Sequence, residues 1–204
     1  MHFSWLGTTA VKIQTKPADK DVTILIDPYK PAKGAFPRSL LADIVLYTRG
    51  AEGSITVSGN PFILSTPGEC EIHNVLMTAV SGDKPGSTMV RIDAEGMSVA
   101  HLGLAIGELT DQQLDVLGGV DVLFIPVGDL DCYGARSAVK AINAIEPRVI
   151  IPIAHHSDND PDAKTVDGFV KELGIQSEQT EKKVILKKKD LPQEESRVVV
   201  LAKE

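Results

Sequence analysis

The 204-residue chain has 28 acidic and 21 basic side chains, a formal net charge of −7, and 43% hydrophobic residues. A chain of this length buries roughly 70% of its unfolded surface, enough for a large core. The negative charge disfavours broad attraction to nucleic acid or to an anionic membrane, and no run of ~18 apolar residues is present to span a bilayer.

Hydrophobic patterning predicts alternating strands and helices along the chain. Strands are predicted at residues 2–6, 9–15, 22–26, 42–47, 55–57, 62–65, 70–80, 89–92, 97–101, 121–126, 148–153, 175–179, 183–187 and 197–201. Helices are predicted at residues 110–117, 134–145 and 165–173, with Thr110 as an N-cap and Gly118 and Gly174 as terminators. This order indicates an α/β protein, and we expect one domain over residues 1–204 because no Pro/Gly/Ser-rich linker divides it.

Five short segments carry a resemblance to a known family. They are Trp5-Leu6-Gly7-Thr8, Ile26-Asp27-Pro28, Pro67-Gly68-Glu69, His101-Leu102-Gly103 and Ile150-Ile151-Pro152. In this order and spacing the chain resembles metallo-β-lactamase-fold hydrolases of the ascorbate-phosphate-lactonase-like group. The resemblance implies a four-layer α/β/β/α sandwich and a hydrolytic site with two zinc ions.

The chain departs from the family at the positions where the resemblance implies metal ligands. The family's His-x-His-x-Asp-His loop is matched by residues 49–54, and its bridging Asp and its last His fall at positions 104 and 154. The residues at these ligand positions are Arg49, Ala51, Gly53, Ser54, Leu104 and Ala154. Zinc hydrolysis needs at least three N, O or S ligands and an open position for water. We therefore predict no zinc and no other cofactor.

Three histidines remain as candidate catalytic residues. His101 ends a predicted strand, and strand ends open onto the site in this frame. His155 and His156 follow the strand that contains Pro152, and their side chains point to opposite faces if the segment is extended. The sequence allows two alternatives: either histidine contacts a metal, or the pair is simply a polar segment where the strand passes into a loop. Residues 157–162 are predicted to form a solvated turn rather than a calcium loop.

Asp27, Arg49 and Glu52 are the predicted pocket residues. The resemblance implies that Asp27 orients a metal-binding His, which is absent here. Arg49 could point to solvent, but we predict that it points inward and pairs with Asp27. An accessible Arg49 would bind a small anionic ligand, and Glu52 is expected in an exposed loop.

Three hypotheses follow for function. The first, which we favour, is a non-catalytic or metal-independent relative that binds a small ligand or a partner. The second is a metal-dependent hydrolase with a remodelled mononuclear site around His101 and His155 or His156. The third is a structural or assembly protein, for which the sequence gives no oligomeric state. Two isolated cysteines, Cys70 and Cys132, and no basic-plus-apolar N-terminal signal predict a cytoplasmic chain with reduced thiols.

Overall fold

The computed structural model describes residues 1–180 and 182–204. In chain order the strands are β1 (His2–Gly7), β2 (Ala10–Thr15), β3 (Val22–Ile26), β4 (Ser39–Leu41), β5 (Ile44–Leu46), β6 (Thr56–Ser58), β7 (Phe62–Leu64), β8 (Gly68–Ile72), β9 (Val75–Ser81), β10 (Thr88–Ala94), β11 (Met97–His101), β12 (Val122–Pro126), β13 (Val149–Ile153), β14 (Ser177–Thr180), β15 (Lys183–Ile185) and β16 (Arg197–Leu201). The α-helices are α1 (Asp111–Leu117), α2 (Ala135–Ile145) and α3 (Val166–Leu173). Short 3₁₀ turns lie at Pro17–Asp19 and Lys188–Asp190.

Two large sheets face each other. The first has the strand order β15-β1-β2-β3-β5-β7, and the second has the order β14-β16-β13-β12-β11-β10-β9-β8. Strands β11, β12, β13 and β16 pair in parallel, with α1 and α2 in the connections between the first three. Parallel neighbours need such crossovers, which explains why helices alternate with strands in this half of the chain.

The core has three parts. The inner faces of both sheets form the central cluster, which includes Trp5, Ile26 and Phe124. The outer face of the second sheet packs against all three α-helices of the described residues, which gives the first three layers of the predicted α/β/β/α sandwich. The outer face of the first sheet is covered differently, by Tyr29 and Phe36 with residues of the small β4–β6 sheet.

Several predicted local features are confirmed. Thr110 caps α1 in a capping box with Gln113, and α3 ends at Gly174 in the left-handed conformation, with φ +73°. Gly7 joins β1 to β2 with φ +123°, a region that favours glycine. Within the described residues, no helix is both long enough and apolar enough to cross a bilayer.

One predicted element is wrong, and one strand was not predicted. The single strand expected over residues 70–80 is a hairpin of β8 and β9, which turns at His73 and Asn74 with φ +53° and +60°. His73 therefore lies in a turn rather than in a strand. Strand β4 was not predicted, because Ser39–Leu41 is short and pairs only with β6 outside the two main sheets.

Parallel pairing brings several carboxyl ends of strands to one edge. Ile26 of β3 is opposite Leu46 of β5, so Asp27 and the residues that follow β5 lie side by side. In the second sheet, β11, β12 and β13 run parallel. His101, at the end of β11, and the residues that follow β13 therefore lie at the same edge of that sheet. The backbone N–H of Ala154, after β13, donates to the Thr8 carbonyl in the β1–β2 turn and ties the two sheets together.

Candidate functional site

Asp27 is a buried carboxylate that its own neighbours satisfy. It follows β3 with φ +50° and is 1% exposed. Its Oδ1 accepts a hydrogen bond from the backbone N–H of Thr48 at 2.7 Å, and its Oδ2 accepts from the Thr48 hydroxyl at 2.5 Å. Its backbone N–H donates to the Leu46 carbonyl. These hydrogen bonds fix the ends of β3 and β5 relative to each other.

Arg49 does not pair with Asp27, so the predicted inward ion pair is wrong. The Arg49 side chain is exposed, and its guanidinium carbon lies 4.1 Å from the centre of the Tyr29 ring. Within residues 1–180 and 182–204, no carboxylate lies within ion-pair distance of Arg49. Thr48 supplies two hydrogen-bond donors to Asp27. Because burying the Arg49 guanidinium would cost desolvation energy, Asp27 pairs with Thr48 instead of Arg49.

Tyr29 holds the loop that follows β5. Its hydroxyl donates to the Gly50 carbonyl at 2.7 Å and accepts from the Arg49 backbone N–H at 3.2 Å. Burial raises the pKa of Tyr29, and the charge of Asp27 raises it further. An antiparallel bridge between Tyr29 and Ser54 anchors the far end of the loop. Glu52 lies at the exposed tip, as expected, but does not line the cavity described below.

His101 is fully buried at the end of β11, and both of its ring nitrogens are engaged. Nδ1 accepts from the backbone N–H of Gly103 at 3.0 Å, which assigns the proton to Nε2, and Nε2 then donates to the Thr9 carbonyl at 2.9 Å. Burial lowers the pKa of His101, so the ring is neutral near pH 7. A base or a metal ligand needs a free nitrogen lone pair, and His101 offers none while these bonds persist.

His155 and His156 separate after β13. The His155 ring packs on Trp5, with ring centres 4.4 Å apart, and its side chain is 7% exposed. Its Nδ1 lies 3.3 Å from the His156 carbonyl, and its Nε2 has no partner within the described chain. Burial lowers the pKa of His155 to about 4. His156 is exposed, and its Nδ1 lies 3.1 Å from the Pro161 carbonyl.

A cavity of about 220 Å³ opens beside Asp27 and Arg49, and we name it the strand-end cavity. It is lined by residues 7–10, 27, 29–32, 36, 49, 159 and 160. Arg49 also borders a second cavity of about 160 Å³, together with Leu104. A third cavity of about 250 Å³, between residues 106–109 and α2, contains none of the predicted site residues.

The segment 157–162 is more than the predicted solvated turn. Asn159 is 7% exposed, and its Nδ2 donates to the carbonyls of Lys33 and Ala35. Asp160 Oδ2 accepts from the Thr8 hydroxyl at 2.8 Å. The segment therefore closes one wall of the strand-end cavity. The sequence did not predict this packing, because a cluster of small polar residues is typical of a surface loop.

The residues present do not fit the two-zinc centre that the resemblance implies. No three His, Cys, Asp or Glu side chains of the described ranges, 1–180 and 182–204, lie close enough together to hold a metal ion. A structural or catalytic zinc site needs three or four such donors. At the expected ligand positions, Arg49 is a cation and Ala154 carries only a methyl group. His101, the histidine closest in sequence to the bridging position, is already bonded on both sides.

Comparison with known proteins identifies the family. Residues 2–154, three quarters of the chain, match the model of the beta-lactamase superfamily domain. The chain belongs to this family, and its two packed sheets confirm the metallo-β-lactamase fold.

Curated relatives are described as metal-dependent hydrolases. The chain is 32% identical over 105 residues to a UPF0173 metal-dependent hydrolase from Archaeoglobus fulgidus, an alignment that covers 52% of this chain and 43% of the relative. It is 25% identical over 195 residues to a protein of the same description from Thermococcus onnurineus, covering 76% of this chain and 86% of that one. The chain therefore spans less than half of the first relative and most of the second.

Solved structures share the fold of this chain. A protein from Thermotoga maritima, described as a Zn-dependent hydrolase of the metallo-beta-lactamase superfamily, superposes with a TM-score of 0.83 at 26% identity, covering 99% of this chain and 100% of that chain. The metallo hydrolase Igni18 from Ignicoccus hospitalis superposes with a TM-score of 0.63 at 14% identity, covering 85% and 90%. The second likeness concerns the fold alone.

Proposed function

We propose that this chain is a metal-independent and non-catalytic member of its family, which uses the strand-end cavity to bind a small ligand. The proposal depends on one observation: side chains at the expected metal centre are bonded to other protein groups. Thr48 satisfies Asp27, Tyr29 holds Arg49, and both nitrogens of His101 are bonded.

Hydrolysis in this fold depends on a hydroxide that a metal ion activates, because the metal lowers the pKa of bound water from 15.7 to about 7. A metal-independent hydrolase would need a general base in the cavity instead. His101 has no free nitrogen, and the described lining of the strand-end cavity contains no histidine. Asp27 and Asp160 line it, but each accepts a hydrogen bond from a threonine hydroxyl. This arrangement favours binding over turnover.

The alternative of a mononuclear metal site is less well supported. It would require His101 to give up one of its two hydrogen bonds in a fully buried setting, and it would require His155 to leave its contact with Trp5. Both changes cost free energy, which the bonds to the metal would have to offset. A zinc site needs at least three protein ligands, and no group of three His, Cys, Asp or Glu side chains that could hold a metal is found among the described residues.

The experiment is a hydrolase screen of the purified chain against lactones, phosphodiesters and β-lactams, with and without added Zn²⁺ or Mn²⁺. We expect no turnover above the uncatalysed rate in either condition. Turnover that survives a second purification and is lost in His155→Ala, but is retained in the exposed control His156→Ala, would overturn the proposal. Circular dichroism of each variant separates loss of activity from loss of fold.

A further inference from the structure

Two cationic side chains, Arg49 and Lys30, line the strand-end cavity, and the protein pairs neither of them with an acid. Both side chains are exposed. Within residues 1–180 and 182–204, neither lies within ion-pair distance of a carboxylate. The positive charge of both groups is therefore available to a molecule in the cavity.

Backbone hydrogen bonds hold the two segments that carry these cations against each other. The backbone N–H of Lys30 donates to the Gly53 carbonyl at 2.9 Å, and Tyr29 forms an antiparallel bridge with Ser54. The Arg49 guanidinium lies over the Tyr29 ring, with its carbon 4.1 Å from the ring centre. Both cations are therefore positioned before a ligand arrives, which reduces the entropy lost on binding.

Two carboxylates also line the cavity, but protein donors already bond to them. Asp27 is 1% exposed, and both of its oxygens accept hydrogen bonds from Thr48. Asp160 Oδ2 accepts a hydrogen bond from the Thr8 hydroxyl at 2.8 Å. An anion in the cavity can touch the exposed cations but not the buried carboxylate of Asp27, and the Coulomb energy is larger at shorter distance.

The chemistry of the two cations and the size of the cavity define the ligand. A guanidinium binds two oxygens of one anionic group through parallel hydrogen bonds, whereas an ammonium on a flexible stem acts as a point charge for another oxygen. A ligand that satisfies both cations therefore carries two negative charges. The cavity volume of about 220 Å³ is below the range of drug-sized pockets, roughly 300–1,000 Å³, and indicates a small molecule.

We propose that the strand-end cavity binds a small dianion that bridges Arg49 and Lys30. The Arg49 guanidinium takes one pair of oxygens, and the Lys30 ammonium takes another oxygen of the same ligand. The two charges lie on one group, as in sulfate, or on two carboxylates, as in malonate. This inference rests on the proposed function, since a two-metal centre would add positive charge to the same region.

The test is isothermal titration calorimetry of the full chain at low and constant ionic strength, with two matched pairs of probes. Malonate is compared with malonamate, and sulfate with methanesulfonate, because the members of each pair have similar shapes and differ by one charge. We expect at least one dianion to bind saturably and about tenfold or more tightly than its matched monoanion, since a lost bond between charged groups is worth that much. Tighter binding of malonate than sulfate would assign the charges to two carboxylates, and the reverse order would assign them to one group.

Three variants show whether the two cations make the contact. Arg49→Met and Lys30→Met should fold normally, because both side chains are exposed and neither is paired with an acid, and each should bind the preferred dianion about tenfold more weakly. Lys33→Met is the matched control, since Lys33 lies on the same loop as Lys30 but does not line the cavity. Its affinity should stay close to that of the parent. Circular dichroism checks the fold of each variant.

The inference would be contradicted by any of three results: no binding of any probe, dianions that bind no more tightly than their matched monoanions, or an equal loss of affinity in Lys30→Met and Lys33→Met. Buffer passed over a chelating resin keeps these results separate from the proposed function, because they are obtained without metal and leave the hydrolase screen unaffected. Dianion binding that appears only after Zn²⁺ is added would contradict both this inference and the metal-independent function.

Discussion

The carboxylate of Asp27 accepts two hydrogen bonds from a single residue, Thr48, through the backbone N–H at 2.7 Å and the hydroxyl at 2.5 Å. Both residues are almost fully buried, at 1% and 2% exposure. This local pair holds a buried acid at the junction of β3 and β5.

Thr48→Val should destabilise the protein by roughly 2–3 kcal/mol. Valine keeps the shape of the side chain but removes the hydroxyl donor, so one oxygen of a buried carboxylate loses its partner. Thr48→Ser is the matched control, since it retains the donor. Urea denaturation measures both. A Thr48→Val variant within about 0.5 kcal/mol of the parent would mean that the pair contributes little.

Arg49→Ala should cost no more than about 1 kcal/mol of stability. Its contact with Tyr29 is an exposed cation–π interaction, and no buried acid is left unpaired when it is removed. Arg49→Lys serves as the control that keeps the charge. The ion pair with Asp27 expected from the sequence would instead give a loss of ~3 kcal/mol or more, so the same denaturation series decides between the two arrangements.

The sequence predicted the two sheets and their helices well, because apolar runs such as residues 121–126 and the cap at Thr110 have strong local causes. It did not predict which partner Asp27 takes. Arg49 is only one residue further along the loop than Thr48, so the choice depends on the direction of its side chain. The Arg49 guanidinium packs on the Tyr29 ring instead of turning towards Asp27. The burial of Asn159 was missed for a similar reason, since its amide bonds to the distant carbonyls of Lys33 and Ala35.

His155 should make the protein sensitive to acid. Its folded pKa, about 4, lies below the ordinary value of 6.5, so the unfolded chain binds more protons between these values. Stability should therefore be complete above about pH 6.5 and fall as the pH drops towards 4, by roughly 3 kcal/mol for this one group.

His155→Phe tests the source of that acid sensitivity. The ring can still pack on Trp5, and the unpartnered Nε2 is removed. The difference in unfolding free energy between pH 7 and pH 4.5 should shrink in His155→Phe and stay at the parent value in His156→Gln. An identical pH dependence in parent and His155→Phe would contradict the burial argument.

His101→Ala should destabilise by ~3 kcal/mol or more, because it opens a cavity and leaves the Gly103 N–H and the Thr9 carbonyl without partners. His101→Asn places an acceptor near the position of Nδ1 and should recover part of the loss. For a chain of this size, each kcal/mol lowers the melting temperature by roughly 2–4 °C. A melting temperature unchanged in His101→Ala would show that the histidine is kept for something other than structure.

The most direct measurement is the metal content of the chain, purified without chelator and then dialysed against Zn²⁺ and desalted. Elemental analysis should find no stoichiometric zinc, because no three donor side chains of residues 1–180 and 182–204 converge and the centre of the expected site is bonded internally by Thr48, Tyr29 and His101. One or more tightly held zinc ions per chain, retained through desalting, would contradict the metal-independent function.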